Sequence, residues 1–372
     1  MAPVVRSLKP EEWDDFMRFL ERCYGHSRNF FTNRYPQLYR RKEDALQSFM
    51  VVEEGGRIVS HVGLFPLELV SLGARIMVGG IGGVSTIPEE RNKGYMSMLL
   101  KHAGSVMKQK SWPLSVLWGD RQRYYSFGWD IAGLKYSLTI TTRSLERAGV
   151  KPIEVEEVPP EEAVLKIESL HSTLKMRVER KSHLLTLKKQ GIRIWLAKEG
   201  YVVSSGEIGP PTILEVVSKK GGEPELVRGV MERCFGDSAS VEVNAFDTER
   251  LERLLKAASY WEIIPEGLFR IVDITGLLKA FEEIMSSRAE HTSSFEISIG
   301  LRLGDNVDTA TIFVNSGRVD VEKGVLSKNY VELDEREAVR LFLGGIPPNT
   351  KKLGGLGMLL PLPIHVPPLD HV

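Results

Sequence analysis

Gly83-Val84-Ser85-Thr86-Ile87-Pro88-Glu89-Glu90-Arg91-Asn92-Lys93-Gly94-Tyr95-Met96-Ser97-Met98-Leu99-Leu100 decides the reading of the chain. A β-rich run ends at Pro88. A polar, basic, glycine-containing loop follows and opens an amphipathic helix, read from about Gly94 to Lys110. Met98, Leu99, Ala103, Val106 and Met107 share one side of it. Such a loop aims several backbone N–H groups in one direction, at the positive end of a helix. Arg91 and Lys93 add charge, and Gly94 lets a ligand approach the backbone with no Cβ in the way. The natural partner is a pyrophosphate. On its own the pattern is weak, because basic loop residues are usually only solvated.

Working outward, Val4 to Leu8 reads as a short strand. A helix follows, with Trp13, Phe16, Phe19, Leu20 and Cys23 at helical spacing and Gly25 as its stop. Glu53-Glu54-Gly55-Gly56-Arg57 predicts a hairpin turn, and Gly73-Ala74 a second one, so three antiparallel strands precede the loop. After the helix come a buried strand, Leu114 to Trp118, a helical stretch around Arg123 to Phe127, and a strand from about Leu134 to Thr142. That order is an α+β sandwich with one central crossover.

The 372 residues predict two or three domains at about 150 residues each. Lys plus Arg and Asp plus Glu total 49 each, which gives no electrostatic reason to expect nucleic acid or an anionic membrane as partner. Cys23 and Cys234 alone make neither a disulfide framework nor a zinc set. The eight histidines show no ligand spacing, so no metal is expected. No signal peptide is read, and the expected compartment is the reducing cytoplasm. The apolar run Leu353 to Pro368 is broken by Pro361, Pro363, Pro367 and Pro368, so it reads as a buried extended segment.

Lys151 to Glu162 reads as a linker. Beyond it, helices are expected near Ala163 to Leu170, Arg180 to Gln190, Glu223 to Cys234 and Thr248 to Ala258. The strands read there are Ile192–Ala197, Tyr201–Gly206, Thr212–Ser218 and Ser240–Phe246. A last unit opens with a helix, Ile274 to Ser287. It continues through strands Phe295–Leu303 and Thr309–Gly317 into Ser327–Gly345, whose second half reads as helix.

The opening segment resembles the acetyl-coenzyme A motif of the GNAT N-acetyltransferases: a strand, V-x-P-x-x-R-x-x-G, then a helix. The resemblance implies that backbone groups of the Val84-Ser85-Thr86 strand pair with the pantetheine arm. It also implies that Arg91, Asn92, Lys93, Gly94, Tyr95 and Met96 form the pyrophosphate loop, with Met96 where the family has a small residue. Leu114 to Trp118 resembles the strand that splays away to admit the cofactor. Arg123-Tyr124-Tyr125-Ser126-Phe127-Gly128-Trp129 resembles the family's Y-x-x-F-G-Y/W signature, which makes Tyr124 the general acid toward the coenzyme A thiolate.

Nearly the full chain resembles the enhanced-intracellular-survival (Eis) type of these proteins. The fold expected is therefore α+β. Tandem GNAT-like domains, with mixed, mostly antiparallel sheets flanked by helices, precede an α/β sterol-carrier-protein-like C-terminal domain. The expected divisions are 1–145, 146–273 and 274–372, the second without a cofactor motif. In that type the terminal α-carboxylate serves as base for the attacking amine, a role that falls here to Val372, with Glu89, Glu90 or Asp120 acting through water as the fallback. The implied activity is acetyl-CoA-dependent N-acetylation of a primary amine on a small molecule or peptide, by direct attack on the thioester. No metal, nucleic acid or membrane partner is expected, and a homo-oligomer is left open. The rival class is a lipid- or ligand-binding protein with a vestigial transferase domain.

Overall fold

Gly55 and Gly56 both take positive φ, 58° and 76°, the backbone a two-residue hairpin turn demands and glycine supplies without strain. They join Phe49–Glu54 to Arg57–Ser71, which turns again at Leu72-Gly73 into Ala74–Thr86. These three antiparallel strands form the centre of the first sheet. In the computed structural model, which describes residues 2–206, 209–344 and 355–372, that sheet has the order Val4–Ser7, Phe49–Glu54, Arg57–Ser71, Ala74–Thr86, Leu114–Leu117, Gly267–Ile271, Asp130–Ala132. Met176–Val178 adds to the far end of Arg57–Ser71.

The sheets do not follow chain order. Gly267–Ile271 enters the first sheet, antiparallel to both Leu114–Leu117 and Asp130–Ala132. In return, Lys135–Thr141 leaves the first 145 residues and lies in the second sheet, between Ser238–Asn244 and Ala258–Ile264. The second sheet continues through Thr212–Ser218, Gly200–Ser205, Ile192–Ala197 and the short Glu156–Glu157. Each sheet thus contains a strand from the far side of an expected division.

A four-stranded sheet, ordered Arg318–Lys323, Asn306–Asn315, Phe295–Leu303, Tyr330–Asp334, completes the chain with helices Ile274–Ala280, Glu282–Ala289 and Glu335–Leu343. Its inner face (Ile297, Ile299, Ile312, Val314, Val321) packs under Phe281, Met285 and Phe342. It shares one continuous core with Leu69, Val78, Val116 and Phe269 of the first sheet. The architecture is a mixed α+β fold of several sheets flanked by helices.

Some expected elements change. The helix read from Ile274 to Ser287 divides at Phe281, which leaves helical backbone (φ −112°, ψ 12°) with its ring fully buried in the core. The helix read from Arg180 to Gln190 shrinks to His183–Leu187, capped by the Ser182 side chain, because Arg180 is extended toward the tail. Ala258–Ile264 and Arg318–Lys323 are strands the sequence reading did not single out. The C-terminal run is buried over Leu362–Ile364 and again at Val366 and Leu369. Gly345 and Leu353, which bound segments read from sequence, lie outside the described residues.

Candidate active site

Ala74–Thr86 runs parallel to Leu114–Leu117 only from Val78↔Leu114 to Ile81↔Leu117. Beyond Ile81 the two strands part. Among the described residues the Gly82–Thr86 edge has no neighbouring strand on that side, a ready place for an extended ligand to pair. On the other side the register to Arg57–Ser71 slips. His61 pairs with Ser85 and Gly63 with Gly82, so Gly83 and Val84 together oppose Val62. Gly83 takes φ 61° in this bulge, as a glycine-bearing bulge requires, and its carbonyl accepts from His61 Nδ1 at 2.8 Å. His61 is fully buried, and burial lowers its pKa to about 4.

Past Pro88 the loop turns through Asn92 (φ 66°) and Gly94 (φ 83°) into helix Tyr95–Gln109. The open N–H groups of the first turn, the free strand edge and Arg91 face a cavity of about 630 Å³. Val84, Ser85, Thr86, Arg91, Asn92, Gly94, Tyr95 and Met96 all line it, with Cys23, Tyr24 and Arg123. Lys93 does not. Its ammonium binds Glu90 at 2.5 Å and lies 3.9 Å from Glu54, so it neutralises acids behind the loop. Arg91 donates from Nε to Thr86 O at 3.4 Å, and among the described residues no carboxylate pairs with it. Helix Trp13–Tyr24 walls the cavity. Tyr24 donates to Val84 O at 2.8 Å, and burial raises the Cys23 thiol to about 11, so that sulfur stays protonated.

A second cavity, about 280 Å³, adjoins the first through Tyr24 and Val84. Both Tyr124 and Val372 line it, although 248 residues separate them in sequence. Tyr124 sits on the short helix Arg121–Tyr125, capped by Asp120. Burial raises its phenol pKa, with Arg123 opposing, so it is a protonated donor at neutral pH. The neighbouring Tyr125 ring points elsewhere, with the Arg336 guanidinium 3.9 Å from its centroid. Val372, the last residue of the sequence, rests on glycines of the motif strand. A Cβ on Gly80 would stand 2.9 Å from Val372 Cγ2, and one on Gly82 3.1 Å from the Val372 carbonyl carbon.

The rest of the second cavity is aromatic: His26, Phe30, Phe31, Tyr35, Tyr39 and Trp118. The reading from sequence placed Trp118 on the splayed strand but missed the other five, although Phe31, Tyr35 and Tyr39 recur every four positions. The tail is fixed by contacts equally hidden from a linear reading. His371 stacks on Trp118 with ring centroids 3.8 Å apart, and Arg180 binds Asp370. Of the fallback bases, Glu89 is paired to Arg22, Asp120 caps its helix, and only Glu90 lines either cavity. His171, Glu215 and Asp370 bring ligand-type atoms within 4.8 Å of one another, but the Arg180 guanidinium already bridges the two carboxylates.

Residues 4–132 match the acetyltransferase (GNAT) domain family. No curated protein matches the sequence. Among solved structures, the chain is similar to a probable N-acyltransferase from Enterococcus faecalis (19% identity, 92% of this chain and 90% of that one, TM-score 0.72). It is also similar to a GCN5-related N-acetyltransferase from Anabaena variabilis (16% identity, all of both chains, TM-score 0.72). Eis1 from Mycobacterium abscessus is a more distant likeness, at 14% identity over 93% of this chain and 90% of that one, with a TM-score of 0.67. At these identities the structural likeness speaks for the fold. The family match covers residues 4–132, the part of the chain that holds both cavities' motif strand and loop.

Proposed function

We propose that the GNAT domain of residues 4–132 transfers the acetyl group of acetyl-coenzyme A to a primary amine held in the aromatic cavity. The observation that carries this reading is the meeting of two unlike cavities at Tyr24 and Val84. One has a helix N-terminus, a free strand edge and Arg91, which fits a pyrophosphate with an extended arm. The other has a protonated phenol and the end of the sequence. The amine attacks the thioester carbonyl directly. Strand N–H groups polarise that carbonyl, and Tyr124 protonates the departing thiolate. The Val372 carboxylate attracts the ammonium and accepts or relays its proton. A carboxylate is a weak base toward an ammonium, so orienting the amine is the larger part of its role.

The similarity to Eis1 and the buried, proline-rich tail support an Eis-type arrangement, with the terminal unit as a sterol-carrier-like domain in the expanse 274–372. Against the rival lipid-binding reading, the inner face of that unit's sheet is filled by Phe281, Met285 and Phe342. The amine class is tested by thiol release from acetyl-coenzyme A across an amine panel. Arg91→Ala with Gly94→Asp should weaken acetyl-coenzyme A binding severely, at least a hundredfold, with the fold intact by circular dichroism. An unchanged dissociation constant sinks the cofactor assignment.

A further inference from the structure

We infer that the preferred acceptor is a small monoamine with a flat aromatic body, an arylalkylamine, and not a polycation. The inference rests on the acetyl-transfer reading above and names its substrate class. Among the described residues, the 280 Å³ cavity has no acidic side chain in its lining. Its negative charge is limited to the Val372 carboxylate of that reading. One ammonium can be matched there. A second would be desolvated without a partner, which weakens binding.

The surroundings sharpen the charge argument. Lys189 stands behind the cavity, its ammonium 5.5 Å from the Tyr35 ring centroid and hydrogen-bonded to Leu369 O at 2.5 Å. Arg123 borders the neighbouring cavity. Both repel a second positive charge.

Recognition of the remainder falls to rings. Phe31 meets Tyr24 edge-on, with centroids 5.2 Å apart, and Tyr39 at 4.8 Å. Phe30 is stacked on His26 at 3.9 Å. Such a wall offers faces and edges to a flat apolar group and attracts one cation to its faces. The volume lies just under the roughly 300–1,000 Å³ of sites for drug-sized ligands, so the acceptor is small. The tyrosine hydroxyls, the His26 ring and the Gly82–Val84 backbone are polar groups in the lining.

The test is calorimetric titration of the full chain, with coenzyme A present, by 2-phenylethylamine, n-butylamine and spermidine, beside thiol release from acetyl-coenzyme A with each. Phenylethylamine should bind at least tenfold tighter than either of the others. Phe30→Leu, which keeps apolar bulk but removes a ring, should erase most of that margin while leaving coenzyme A affinity unchanged. Spermidine binding as tightly as phenylethylamine, or no saturable phenylethylamine binding, overturns the inference. Phenylethylamine binding without thiol release from any amine keeps the cavity assignment and removes acetyl transfer instead. Thiol release with spermidine alone does the reverse.

Discussion

Arg180 grips Asp370 with two hydrogen bonds, Nε to Oδ1 at 2.7 Å and Nη2 to Oδ2 at 2.8 Å, and so fixes the tail two residues before its last position. The same guanidinium binds Glu215, which also accepts from Tyr201 at 2.7 Å. Three of the partners lie in the second unit and one in the tail. A residue outside the first sheet thus fixes the tail whose last position lines the second cavity.

Asp370→Asn should loosen this grip while leaving Arg180 on Glu215. Turnover should fall at least tenfold with little change in the KM for acetyl-coenzyme A, because the tail moves and the cofactor loop does not. Arg180→Leu leaves two carboxylates buried without their cation and should cost about 3–5 kcal/mol of stability. Equal losses in turnover and cofactor affinity for Asp370→Asn would point to general unfolding and not to positioning.

Gly82 carries a second prediction. A Cβ there meets the Val372 carbonyl carbon at 3.1 Å and the Phe65 ring at 3.3 Å, and one on Gly80 meets Val372 Cγ2 at 2.9 Å. Gly82→Ala should displace the tail and cut turnover at least tenfold, at an overpacking cost of about 1–3 kcal/mol in denaturant unfolding. Gly94→Ala makes the useful contrast. Open space surrounds its Cβ position, so any effect comes from its φ of 83° and should fall on cofactor binding.

Those glycines also mark what was readable in the sequence. A glycine inside a strand permits close approach, which the sequence analysis did not draw from Gly80 and Gly82, and what approaches both is Val372, at the other end of the sequence. Local chemistry was legible: Gly25 as a helix stop, Gly55-Gly56 as a hairpin turn, Gly94 at the head of the helix. The exchange of Lys135–Thr141 and Gly267–Ile271 between sheets was not. Alternating apolar residues fix which face a strand buries but not which neighbour it pairs with. The pairings Arg180–Asp370 and Trp118–His371 were hidden for the same reason, since each joins positions about 190 or more residues apart.

Tyr124 and Tyr125 are separable by substitution. Tyr124 lines the second cavity, and Tyr125 lies under Arg336. Tyr124→Phe should lower turnover about 10²–10⁴-fold, the usual contribution of a general acid, with cofactor affinity nearly unchanged. Tyr125→Phe should alter activity less than twofold. The two variants are compared by steady-state thiol release, and the reverse ranking would reassign the acid.

Stability should fall on mild acidification, well before carboxylates protonate. Burial holds His61 and His171 at a pKa of about 4 and His371 at about 3, with Arg180 adding to the depression at His171. In the unfolded chain a histidine titrates near 6.5. Between about pH 6.5 and 4 the unfolded chain thus binds more protons than the folded one, so folding free energy drops as pH drops. Each histidine contributes at most ~1.4 kcal/mol per pH unit in that window. Asp130 extends the loss to lower pH. Burial raises its pKa, but bonds from Arg121, the Ile131 N–H and Arg340 outweigh that and hold it below the ordinary value. Its contribution is present above about pH 4 and lost below. Denaturant unfolding at pH 7.5, 6 and 5 should trace this slope, and His171→Phe should flatten it by up to one histidine's share. The Nε2 of His171 lacks a hydrogen-bond partner among the described residues, so the variant should cost little at pH 7.5. A slope that His171→Phe leaves unchanged would mean that this ring titrates in the folded chain as it does in the unfolded one.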